Sequence, residues 1–384
     1  MGTKNYSNYS DLITFSRASN ATYMDSDGLI KTASANVPRI EYDADGNRLG
    51  LLIEEARTNL SPNSNFNGGW TFLNSSFETD AAVSPDGTTN AVKLKVNTNS
   101  SHHSIYESVT GGTYSVSVFA KAGEYYGIQL TGVQTTNDHA CFNLVDGTAY
   151  HTGTNASNAT IEDVGNGWYR CSAVIPVTNG NLYIAVTDGV STAWLPSFAG
   201  ANTTDGIYIY GAQLEAGAFP TSYIPTSGST ATRAADIASI PVSAFGYNQN
   251  SGTVVCEGQT TVVDSNTRFF SLSDGTTNNR IAFSRGFIYH PYVSTGGVAQ
   301  ASLDAGTVNA GTLVKVATSF KQDDISSVID GGSVATDTSA TIPSVNKLYL
   351  GAGSTGSIAG ACYIKSIKYF PRKLTNDQIV DLTS

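Results

Sequence analysis

Apolar and polar residues alternate with a period of two along most of this chain. At 113–120, Tyr114, Val116, Val118 and Ala120 alternate with Thr113, Ser115, Ser117 and Phe119, as in a strand with one face in a core. Short β-branched and aromatic segments predict further strands at 92–96, 126–130, 168–175, 182–186 and 207–214. In the last of these, Tyr208, Tyr210, Ala212 and Leu214 are expected on one face. Turn residues separate the strands at the spacing of a β-sandwich, so 61–235 is assigned to one jelly-roll-like sandwich. The pattern then breaks. Gly217, Pro220 and Pro225 do not fit inside a ladder, and Ser227, Gly228, Ser229 and Thr230 extend the interruption.

A second alternating region fills 236–384. Its opening strand sets Val254, Cys256 and Gly258 against Val255, Glu257 and Gln259. The segments 269–272 with 280–283, and 313–320 with 325–329, read as strand pairs, with Asp330, Gly331 and Gly332 as turn residues after the second. After a last strand at 362–369, Pro371 precedes one short helix. Thr375 and Gln378 have the spacing of a capping box, and Leu374 and Ile379 that of a hydrophobic staple. Residues 1–60 read as an arm with hairpin signals, expected to gain packing from neighbouring subunits or a larger particle. The fold class is therefore all-β: an N-terminal β-arm, two β-sandwiches and one C-terminal helix.

Composition fits that reading. Only 14% of the 384 residues are charged and 38 are Gly, unlike a helical bundle. The net charge of -10, with Lys and Arg scattered singly, opposes binding to a phosphate backbone, so no nucleic-acid partner is expected. The polar start MGTKNYSNYS predicts no secretory signal, and no run of about 18 apolar residues predicts a membrane span. Cys141, Cys171, Cys256 and Cys362 have no metal-site spacing and are expected to be free thiols. Cys256 and Cys362 fall on the first and last strands of the second sandwich, where a disulfide is the less favoured reading.

Several words of this sequence resemble a known family. FSRASNATYMDSDGLI (15–30), NVPRIEYD (36–43), GLLIEEARTNL (50–60), SPDGTTNAVKL (84–94), NGWYRCS (166–172) and AQLEAGAFPTSYIPTSGSTATRAAD (212–236) occur in this order. Together they resemble bacteriophage tail fibres and head spike or head fibre proteins. The resemblance implies a carbohydrate-binding-module-like fold for 61–235 and a virion structural protein that is commonly trimeric. It implies placement on the virion surface after synthesis in the host cytoplasm and release by lysis. Other virion proteins would be contacted through the arm, and host-surface polysaccharide by the sandwiches. The segment 236–384 resembles laminin-G or concanavalin-A-like lectin domains.

Signatures of chemistry are sparse. The sequence has no GxSxG elbow, HExxH pair or GxxxxGK[ST] loop. A glycosidase needs two carboxylates across a cleft, and lectin-like glucanases carry an ExDxxE run, whereas Glu257 and Asp264 stand isolated. Glu54 and Glu55, adjacent on a strand, point apart and suit ion pairs with Arg57 or Arg39. DSDG (25–28) and DADGN (43–47) read as turns; a calcium-loop reading lacks its closing acid. His102 and His103 are no natural chelate, and His139 and His151 stand alone in the sequence. No catalytic, metal or cofactor residue is assigned. Glycan contact is assigned to Trp194, Tyr289, His290 and Tyr292, in the Pro-broken clusters WLPSF (194–198) and FIYHPY (287–292) on a loop or edge. Core or interface packing competes for Tyr289 and Tyr292. A non-enzymatic attachment fibre is the leading expectation; an architectural spacer and a polysaccharide depolymerase are the alternatives.

Overall fold

A computed structural model describes residues 12–132, 137–177, 180–261, 268–285, 288–357 and 360–384, with main chain alone at 283–285 and 288–289. Asp264 and Phe287 lie outside these residues, as does the whole segment before Leu12. The described chain is nearly all β-strand with one short C-terminal helix.

Two six-stranded antiparallel sheets form the first sandwich. One runs Thr148–Thr152, His139–Asn143, Gly127–Thr131, Asn181–Thr187, His103–Ser108 and Thr71–Leu73; the other runs Ser157–Asp163, Trp168–Val177, Gly112–Lys121, Gly206–Ala216, Thr89–Val96 and Ser75–Val83. Alternation sends Ile105, Val116, Val118, Ile128, Leu130, Phe142, Ile184 and Leu214 into one core. The expected face of the strand at 206–216 is corrected by a bulge. Ser117 opposes Gln213 while Phe119 opposes Tyr210, which leaves one extra residue on this strand. Gly211 absorbs it at φ 64°. Ile207 and Ile209 therefore share the core with Ala212 and Leu214, and Tyr210 packs on Phe119 and Tyr223 on the other side.

The second sandwich has two seven-stranded sheets. One is ordered Thr14–Ser16, Ile237–Pro241, Lys347–Leu350, Phe270–Ser273, Arg280–Arg285, Ile288–Thr295, Val298–Ser302. The other is ordered Ala335–Asp337, Asp324–Ile329, Leu313–Lys321, Ser251–Thr260, Ala361–Phe370, Arg48–Glu54, Ile40–Tyr42. Residues 12–54 thus differ from the expected free arm, because they add strands to both sheets. The cause lies in LGLLI: Leu51 and Ile53 enter the core and Leu52 is buried too, as only a flanked strand allows. Arg57–Asn59 then pairs with Ala231–Arg233, so the chain enters and leaves the first sandwich at one two-stranded stem. The first sandwich is in effect an insertion into the second.

The C-terminal helix, Asn376–Thr383, carries the capping box: Thr375 Oγ1 accepts from Gln378 N while the Gln378 side chain accepts from Thr375 N. Leu374 and Ile379 pack together against Val255, Ala317 and Val328, covering the outer face of one sheet. All four cysteines are free and buried; Cys256 opposes Ile367, and Cys362 opposes Thr260 one turn of the ladder away.

Candidate functional site

The ordered sequence words converge on one buried ionic hub at the stem. Arg17 of FSRAS donates to Asp236 Oδ1 at 3.1 Å, and Arg39 of PRIEYD reaches Asp236 Oδ2 at 2.5 Å and Glu54 Oε2 at 2.8 Å. Arg233 of TRAAD approaches Glu54 Oε2 at 3.5 Å. All five side chains are buried. Buried charges persist where they are paired and hydrogen-bonded, and both carboxylates here are, while Arg39 Nε and Arg233 Nε stay without a hydrogen-bond partner. Ser222 gives Glu54 both its N–H and its hydroxyl at 2.8 and 2.7 Å, and Glu54 N donates to Asp236 Oδ2 at 2.9 Å. Burial alone would raise the Glu54 carboxyl; Arg233, Arg39 and Ser222 outweigh it and hold it down to about 2. Gln213 and Glu215 of AQLE clamp the adjoining loop through Thr221, whose N–H and hydroxyl both donate to Glu215. Glu55 and Arg57 pair at 2.5 Å on the rim. The two glutamates therefore make separate ion pairs, as expected of adjacent strand positions. The hub neutralises and fastens; its carboxylates are saturated by protein donors.

A polar strap shapes the outer face of the first sandwich. The loop after Asn181–Thr187 crosses the sheet, and its backbone carbonyls accept from side chains that the strands point outward. Tyr150 Oη donates to Ser191 O at 3.0 Å, His139 Nε2 contacts Thr192 O at 3.0 Å, and Gln129 Nε2 donates to Ala193 O at 2.9 Å. Leu195 N donates back to Gln129 Oε1 at 2.8 Å, and Trp194 Nε1 donates to Thr131 Oγ1 at 3.1 Å. Beyond the strap the sheet carries an aromatic platform. Tyr106 and Tyr183 sit on neighbouring strands with ring centroids 5.1 Å apart and planes tilted by 38°. Leu73, Leu195 and Trp194 pack beside them. Ser104 and Tyr106, and Asn181 and Tyr183, occupy one face by alternation, so hydroxyl and amide groups border the rings.

Trp194 is thus where an aromatic glycan contact is expected, half-buried on a loop. The platform partners Tyr106 and Tyr183 were not legible as site residues, because nothing short of the register reveals that two tyrosines 77 positions apart stack. His139 and His151 also differ from their isolation in the sequence: their rings lie 4.9 Å apart on paired strands. Burial lowers the His139 imidazole. His102 and His103 do diverge; His103 is buried with its ring nitrogens on Asn74 O and Phe198 O.

The other three predicted residues lie within the strand Ile288–Thr295 of the second sandwich, not on a loop. Pro291 is tolerated there because it lies just beyond Tyr292, the last residue paired with the edge strand, at Ser302. His290 Nε2 meets Ser302 Oγ at 2.5 Å, and the Arg280 guanidinium stacks over the Tyr292 ring at 4.9 Å. The side chain of Tyr289 lies outside the described residues. Trp194 and the His290–Tyr292 pair belong to different sandwiches, so the structure does not bring the predicted set into one site.

Two carboxyls stand well above their ordinary range. Burial pushes Glu107 up to about 7 although Ser61 Oγ donates to it at 2.9 Å. Burial likewise raises Glu41 to about 8, with Arg39 opposing. Each keeps one oxygen buried without a protein donor, Glu107 Oε1 and Glu41 Oε2. Glu54 and Glu162 lie within electrostatic reach of Glu41 and add to its rise, whereas burial alone raises Glu107. Asp25 Oδ1 accepts from Asp27 N and Leu29 N, and Asp43 Oδ1 from Asp45 N and Asn47 N, so both Asp-Gly segments are side-chain-closed turns. Among the described residues no group of three or more His, Cys, Asp or Glu could hold a metal ion, and no helix is long and apolar enough to cross a membrane.

No family model matches the chain, and no curated protein matches it in sequence. Solved structures resemble it remotely. Domain 4 of AbnA, a GH43 extracellular arabinanase from Geobacillus stearothermophilus, in complex with arabinotriose, is 12% identical with a TM-score of 0.31, covering 42% of this chain and 81% of that one. Trypanosoma rangeli sialidase in complex with the inhibitor DANA is 11% identical with a TM-score of 0.31; 76% of this chain aligns with 60% of the sialidase. Domains LG4-5 of the mouse laminin alpha1 chain are 12% identical with a TM-score of 0.25, covering 73% and 90%.

Proposed function

We propose that this protein is a structural protein of a phage virion, a head or tail fibre or spike, that displays its first sandwich for attachment to host-surface glycans. The observation that carries the glycan reading is the pair of half-buried rings Tyr106 and Trp194, which flank the buried Tyr183 at the end of a strap that pins the rest of the sheet face. Sugars present apolar C–H faces flanked by hydroxyls. Stacked rings bordered by Ser, Thr, Asn and Gln match both features. The virion reading is supported by the ordered sequence words, which meet in a hub that fixes one sandwich on the other. A particle protein needs such rigidity because weak single contacts gain ~10² to 10⁴-fold only if many copies engage together.

Attachment without turnover is favoured over depolymerisation. The hub carboxylates are saturated, and Glu41 and Glu107 keep their free oxygens buried among protein atoms. Trimerisation, docking onto other virion proteins and a place on the particle surface belong to the same proposal. Two experiments test it. Labelling particles with an antibody to this chain should mark the virion head or tail; unlabelled particles would exclude the virion role. Glycan-array binding by the purified protein should give host-type polysaccharide hits that Tyr183→Ala abolishes; silence across host polysaccharides would exclude attachment.

A further inference from the structure

We infer that the outer face of the second sandwich holds a separate site for an anionic group of an acidic glycan, a carboxylate or a sulfate, centred on Arg280. The strand register places Ser239, Tyr349, Ser271, Ala282, Tyr292 and Ser302 in one row across five neighbouring strands and their edge. Lys347, Ser273, Arg280 and Ser294 form the next row on the same face. Arg280 is half-buried, stacked over Tyr292 at 4.9 Å, and Nη1 donates to Ser354 Oγ at 3.3 Å. No carboxylate among the described residues pairs with it, and its Nε is buried without a partner. Asp274, the neighbouring acid in the turn, is occupied by Thr276 N, Thr276 Oγ1 and Asn279 Nδ2 at 2.9, 2.6 and 2.9 Å.

Taking a guanidinium partly out of water without a counter-charge is costly, and in a chain of net charge -10 it stands out. The three arginines fully buried among the described residues, Arg17, Arg39 and Arg233, all meet carboxylates in the hub, and half-buried Arg170 lies opposite Glu162 on the neighbouring strand. Ser239, Ser271, Ser273, Ala282, Ser294 and Tyr349 of these rows are buried, so the open part of the face is Lys347, the half-buried Arg280 and the half-buried Tyr292. Lys347 adds an exposed ammonium beside Tyr349, its Nζ 5.9 Å from the ring, and makes no ion pair among the described residues. A planar cation backed by an aromatic ring, with a second cation on the same face, is the donor set that recognises a planar carboxylate or a sulfate carried on a sugar ring. Among the described residues the strands that carry Tyr106 and Tyr183, with their neighbour Thr71–Leu73, hold no Lys or Arg, so the two sandwiches would select different chemistry.

The test is isothermal titration of the full chain with an oligogalacturonate hexamer, a heparin hexasaccharide and maltohexaose as the neutral comparator. At least one acidic probe should bind more tightly than maltohexaose, and the one preferred identifies carboxylate or sulfate. Binding should weaken with added salt, and Arg280→Gln should weaken it by about 10-fold or more, the usual scale for a lost charged hydrogen bond. Arg280→Lys should recover part of the loss. Lys347→Gln, at an exposed position, should weaken binding in the same direction even if the Arg280 variants fold poorly. Failure of both acidic probes to bind, or equal affinity in wild type, Arg280→Gln and Lys347→Gln, would overturn the assignment. The platform is read separately, by Tyr183→Ala on neutral glycans, so either site can fail alone.

Discussion

Replacing Asp236 by Asn removes one negative charge from the hub while keeping its shape. The hub holds Arg17, Arg39 and Arg233 against Glu54 and Asp236, three positive charges to two negative, so the substitution raises its excess from one positive charge to two. Arg17 loses its only carboxylate and Arg39 one of two. Removing one partner of a buried pair costs about 3 to 5 kcal/mol, because the remaining charges stay buried without compensation. For a cooperative unit of 150 to 250 residues that is a fall of roughly 6 to 20 °C in Tm. Urea denaturation followed by tryptophan fluorescence should show a lower midpoint at unchanged slope, and limited proteolysis should open residues 12–60 first. A loss below about 1 kcal/mol would refute the view that this hub fastens the N-terminal strands and the first sandwich to the second.

Three further outcomes follow from the same geometry. Glu54 is depressed to about 2 from 4.5, so its stabilisation is present above pH 4.5 and lost as pH falls toward 2; an acid melt should show that loss, about 3 kcal/mol, steepest below pH 4. Glu107 is raised to about 7, so the folded state binds the extra proton and stability falls as pH rises from 4.5 to 7. Glu107→Gln should abolish up to about 3 kcal/mol of that slope, raising Tm at pH 8 while leaving it unchanged at pH 4.5. Gly211→Ala should destabilise by about 1 to 3 kcal/mol in urea, since φ is 64° and a Cβ there would lie 3.0 Å from the Phe119 ring.

How far the sequence carries depends on the range of the interaction that decides each feature. The strand at 112–121, the paired segments of the second sandwich and the Thr375 capping box rest on residues within a few positions of one another, and each is found in the structure. The face of 206–216 was misread because a single αL glycine shifts the alternation by one, and Gly211 carries no signal distinguishing a bulge from a plain strand glycine. The arm was misread because its partners lie far along the chain: Glu54 opposes Ala361 and Phe15 opposes Ala238. The word blocks were visible, but their purpose was not. Arg17, Arg39, Glu54, Arg233 and Asp236 become one object only when the stem closes. Of the proposed glycan contacts, Trp194 was named from the sequence and packs beside Tyr106 and Tyr183, which gain meaning only from register, as Arg280 does only from the absence of a carboxylate beside it.

The claim that the first sandwich binds sugar on a stacked-ring face and leaves it intact is tested most directly by one titration. Wild type and Tyr106→Ala/Tyr183→Ala are titrated with the strongest array ligand, and the same samples are assayed afterwards for new reducing ends. Truncating both rings removes the apolar surface that a sugar's C–H face would bury, so affinity should fall by about 10-fold or more in the variant, with no reducing ends from either protein. Equal affinity in the two proteins, or reducing ends accumulating with wild type, would contradict it.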